Sequence, residues 1–64
     1  MKNEDIIIGE AVFFLLNNRP REDFNKEMLI EYLTHLYVQK YETSPDISEI
    51  EMYLSALEAV MLKQ

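Results

Sequence analysis

The sequence predicts an all-α domain: three helices in an antiparallel hairpin-type arrangement, associating as a helical homodimer. Three observations carry that expectation. One Gly and two Pro interrupt the 64 residues, and the polar, Pro-containing stretches 17–23 and 42–46 leave three apolar segments of helix length. Within those segments the apolar residues recur at steps of three and four, the period of a helix face. A chain this short buries only about 60% of the surface that its unfolded form exposes, so its core needs a supplement. With no Cys and a single His, disulfides are impossible and structural zinc lacks its usual ligands. Self-association is what remains. A hydrophobic content of 48% is too apolar for a disordered chain, and residues 1–64 read as one helical domain.

The first helix is expected over residues 4–16. Asn3 is placed to cap it, with Glu4 and Asp5 in the first turn, where the helix dipole favours anions. Asn3, Glu10 and Asn17 fall one heptad apart and form a narrow polar stripe. Nearly everything else is apolar, from Ile6, Ile7 and Ile8 to Leu15 and Leu16. A helix apolar most of the way round has to be covered on several sides, and two short helices of the same chain cannot do that. Ile8, Val12, Phe13 and Leu16 are therefore the expected dimer interface. Gly9 lies within this apolar arc, where a missing side chain lets another helix approach closely; the plainer reading is a tolerated helix glycine. The isoleucine run also fits a strand, but no second strand is available to pair with it.

The second helix is expected over residues 25–41, with Asn25 at the cap and Phe24 and Leu29 spaced as a hydrophobic staple. Leu29, Ile30, Tyr32, Leu33, Leu36 and Tyr37 gather on one side and Glu27, Glu31, Thr34, His35 and Glu42 on the other, an ordinary amphipathic pattern. For the third helix, 48–62, Ser44, Asp46 and Ser48 compete as starts. Ser48 with Glu51 forms a capping box flanked by a possible Ile47 to Met52 staple, and Asp46 has Glu49 at the same offset. Ile47, Ile50, Leu54, Leu57 and Met61 step by three and four, the spacing of a packing seam.

Chemistry-bearing constellations are sparse. His35 one turn after Glu31 has the spacing of half a metal site or an acid–base pair, yet both lie on the expected solvent side. An exposed ion pair of little energetic weight is the simpler reading. No Cys nucleophile is present, Ser and Thr cluster at helix starts, and no Gly-rich loop exists to cradle a phosphate, so no catalytic residue, cofactor or metal is expected. Arg19, Arg21 and Lys26 concentrate half of the positive charge between the first two helices. They and Glu27 and Glu31 are the candidate contacts for a partner. The four Tyr and four Met suit an adaptable binding surface, although Tyr32, Tyr37, Met52 and Met61 read more simply as core or dimer seam.

Twelve acidic against six basic residues give a net charge of −6, which repels phosphate backbones and makes DNA an unfavoured partner. The longest apolar stretch, Ile6 to Leu16, is far short of the roughly 20 residues that span a bilayer and lacks a signal-peptide cleavage pattern. A cytoplasmic protein without membrane partner or small-molecule substrate is expected.

The run Ile8-Gly9-Glu10-Ala11-Val12 followed by Leu15-Leu16 resembles the YmgB/AriR family. So do Asn25-Lys26 leading to Leu29-Ile30, Leu33 and His35-Leu36, and the later Leu57-Glu58-Ala59-Val60. The resemblance covers roughly Ile8 to Val60. Members of that family are small enterobacterial regulators of biofilm formation and acid resistance, also called two-component-system connector proteins. The resemblance implies a helical homodimer that influences transcription through the Rcs phosphorelay, with direct DNA binding also proposed for the family, and it supplies no catalytic residue. Two alternatives stand beside it: an acidic inhibitor or antitoxin-like protein occupying a basic site through Glu27, Glu31, Glu51 and Glu58, or a DNA-binding regulator using the Arg19, Arg21 and Lys26 loop.

Overall fold

Two asparagines start the first two helices. In the computed structural model, which describes residues 3–62, Asn3 and Asn25 hold extended backbone, and the Oδ1 of each accepts a backbone N–H three residues on. Ile6 N–H donates to Asn3 at 3.0 Å and Met28 N–H to Asn25 at 2.8 Å. Each satisfies an amide that the helix itself leaves unpaired. The helices are α1, Glu4–Asn18; α2, Lys26–Thr43; and α3, Ile47–Leu62. A short 3-10 turn, Arg21–Asp23, lies between α1 and α2. No strand occurs among the described residues, so the isoleucine run is helical.

The helices outrun their expected ends for a local reason. Asn17 and Asn18 donate their side-chain N–H groups back to the carbonyls of Phe13 and Phe14, both at 2.8 Å. Thr43 Oγ1 does the same to Gln39. These bonds occupy carbonyls that lie near the last turn and carry α1 and α2 two residues past positions 16 and 41.

At α3 the expected Ser48 capping box does not form. Asp46 Oδ1 accepts the Ser48 N–H at 3.0 Å, Asp46 O accepts the Ile50 N–H, and Ser44 Oγ accepts the Asp46 N–H. The helix thus starts at Ile47, with Asp46 as its cap. Pro45 precedes it and cannot continue α2.

The three helices run up, down and up. The end of α1 meets the beginning of α2, where Phe14 and Tyr32 stack with ring centroids 5.0 Å apart. Across the α2–α3 turn Lys40 Nζ lies 3.3 Å from Glu49 Oε1 and 5.5 Å from the centre of the Tyr53 ring. The α2–α3 contact is the most extensive, and that of α1 with α2 the least.

Ile7, Ala11 and Leu15 from α1, Leu29 and Leu33 from α2, and Tyr53, Ala56, Leu57 and Val60 from α3 form the buried core. Leu33, fully buried, sits within it. The inner side of α2 is the one its pattern predicts: Ile30, Tyr32, Leu36 and Tyr37 pack against this core, as does Phe24 of the expected staple. For α3 the expected seam is turned by about one residue, or roughly 100°. Of Ile47, Ile50, Leu54, Leu57 and Met61 only Leu57 is buried, while Ile47 is 70% exposed. Tyr53, Ala56 and Val60 take the inner side instead, with Ala56 and Ala11 the two small residues of the buried core.

Candidate protein-interaction surface

Among the described residues nine side chains are buried, two of them alanine, and nine large apolar side chains are exposed. Singly scattered exposed apolar residues are ordinary, so what matters is whether any of them form a contiguous face. The radius of gyration, 11.7 Å, also exceeds the about 10.7 Å of a compact domain of this length.

The outward side of α1 holds the clearest stretch. Opposite Ile7, Ala11 and Leu15, the residues Ile6, Gly9, Phe13 and Leu16 step by three, four and three along the helix, so they share one face. Ile6, Phe13 and Leu16 are exposed, Phe13 at 71%. A Cβ placed on Gly9 would meet nothing within 4 Å. No helix of the same chain crosses there, so the close crossing expected at Gly9 is absent within the chain. The expected interface is thereby divided. Phe13 and Leu16 face outward, whereas Ile8 and Val12 are half-buried and pack against the chain's own core. Ile6 and Gly9 complete the outward set, a member of which the sequence pattern hides because α1 is apolar on nearly every side.

The loop cations are dispersed. Arg19 follows α1 in extended conformation, Arg21 opens the 3-10 turn and Lys26 begins α2, all three exposed. Glu22, Asp23 and Glu27 lie in the same stretch, three acidic residues to three basic ones.

Glu27, Ile30, Glu31, Thr34, His35 and Val38 line a shallow depression of about 560 Å³ along the outer side of α2. Tyr37, Val38, Tyr41 and Glu42 continue it toward the helix end. Arg19 borders it on the α1 side, where it shares a smaller hollow with Glu31 and His35. Glu31 and His35 therefore stand together on the exposed side, with no third ligand to make a metal site: among the described residues no three of His, Cys, Asp and Glu converge. No buried polar or charged side chain occurs among them either. Such an arrangement offers contact area and surface charge.

Comparison of the chain with family models, curated proteins and solved structures returns no match. No helix among the described residues is long and apolar enough to cross a membrane.

Proposed function

We propose that this chain is a non-enzymatic regulatory protein that works by protein–protein contact, first with a second copy of itself and then with a signalling or transcription-control partner in the cytoplasm. The resemblance to YmgB/AriR connector proteins supplies the regulatory setting, biofilm formation and acid resistance. The observation that carries the reading is the outward face of α1. Ile6, Phe13 and Leu16 present apolar surface around an open Gly9, and burying such surface is the main driving force of association. A two-fold axis through this face would bring the same residues together from both copies, with Glu10 and Asn17 at the rim.

Two variants one residue apart test it. Phe13→Asp alters an outward side chain, so the protein should become monomeric by light scattering while keeping its helical circular dichroism. Val12→Asp buries an unpaired charge against the core and should lose both. The wild-type melting temperature should rise with protein concentration. A Phe13→Asp protein that remains dimeric would remove α1 as the interface.

A further inference from the structure

We infer that the outer side of α2 docks a basic amphipathic helix belonging to the partner protein. The inference rests on the protein-binding role proposed above and names the chemistry of the partner. The depression extends along a single helix for more than three turns, from Glu27 to Glu42. Its floor is apolar, from half-buried Ile30 to Val38 and Tyr41, which are 45% and 67% exposed. Glu27, Glu31 and Glu42 also line it. Three carboxylates thus line it, against Arg19 at its border and Lys26 beside Glu27 at the start of α2; Lys40, the other cation of α2, is turned to Glu49 and the Tyr53 ring on the α3 side.

Charge complementarity selects the occupant. A second copy of this chain would set Glu27 and Glu31 against the same carboxylates, and like charges across an interface repel. A nucleic acid would bring phosphates to them. A helix with Leu or Ile at three- and four-residue steps can lay its ridge alongside the row formed by residues 30, 34 and 38. Lys or Arg beside that ridge would then reach Glu27, Glu31 and Glu42. The face of α1 stays free for the second copy, so both contacts can exist together.

The probe is a fluorescein-labelled Leu/Lys amphipathic peptide of about 18 residues, about five helical turns, titrated with the full chain at physiological salt and followed by anisotropy. Replacing both Glu27 and Glu31 by Gln should weaken binding between about twofold and thirtyfold, the effect of losing two exposed ion pairs. Glu51→Gln with Glu58→Gln makes the same change of net charge on the outer side of α3 and should leave affinity within about 1.5-fold, since screening at this salt confines the effect to nearby charges. Val38→Thr, which keeps shape and removes apolar contact, should also weaken binding. Equal loss in the two double variants would mean attraction to bulk charge and would overturn the inference, as would no loss in either. Light scattering on the same samples separates the two proposals. A monomer that still discriminates between the double variants removes the dimer and keeps this surface; a dimer that does not discriminate removes this surface alone.

Discussion

Replacing Gly9 by Ala should have opposite effects on the folded monomer and on its association. In the monomer the new methyl group meets nothing within 4 Å, so only the helix preference changes, by about 0.8–1.0 kcal/mol in favour of Ala. For a domain of this size such a gain corresponds to a rise of roughly 4–8 °C in melting temperature. In the proposed dimer the same methyl would stand between two helices whose close approach depends on Gly9 having no side chain. There it should weaken association by an amount comparable to the overpacking of a core, about 1–3 kcal/mol. The assay is thermal unfolding by circular dichroism over a hundredfold range of concentration, with sedimentation equilibrium for the dimer constant. At the dilute end the variant should melt above wild type; at the concentrated end the advantage should shrink or reverse. A gain that stays constant at every concentration would refute the crossing at Gly9, and a loss at the dilute end would refute the outward placement of this residue.

Two further substitutions probe the fold itself. Leu33→Ala empties the fully buried site on α2 and should cost about 2–5 kcal/mol, enough to leave a marginal domain largely unfolded in a denaturant titration. Asn25→Ala removes the acceptor of the Met28 N–H and should cost about 1 kcal/mol, read as a drop of several degrees in melting temperature with the helical spectrum retained.

How far the sequence disclosed this arrangement differs from helix to helix. The inner side of α2 is legible, because its Leu and Glu residues separate cleanly around the helix and so define an inner and an outer side. α1 has no such asymmetry. Its apolar residues spread over most of its circumference and do not tell which side the chain itself covers, so the pattern alone does not separate Ile8 and Val12 from Phe13 and Leu16. For α3 the largest aliphatic residues drew the seam toward Ile47, Ile50 and Leu54, whereas the core takes Tyr53, Ala56, Leu57 and Val60. An alanine adds little to a hydrophobicity count and yet decides how near two helices come. At the start of α3, Ser48 and Asp46 offered equivalent caps by spacing. Asp46 prevails because Pro45 already holds the chain out of α2 and Ser44 supports the Asp46 N–H. The acidic outer side of α2 was visible as charge, while its apolar floor at Ile30, Val38 and Tyr41 emerged only with the surface.

The uneven packing of the three helices divides the molecule into parts of different persistence. α2 and α3 share the broadest contact and are fastened at their turn by Lys40 against Glu49 and Tyr53. α1 is held mainly through Ile7, Ala11 and Leu15, and touches α2 least. Segments with fewer buried contacts open at lower free energy than the global unfolding, so hydrogen exchange is expected to be faster in α1 than in α2 and α3. Whatever secures α1 against the α2–α3 pair therefore governs how readily the 19–25 loop is exposed to proteases.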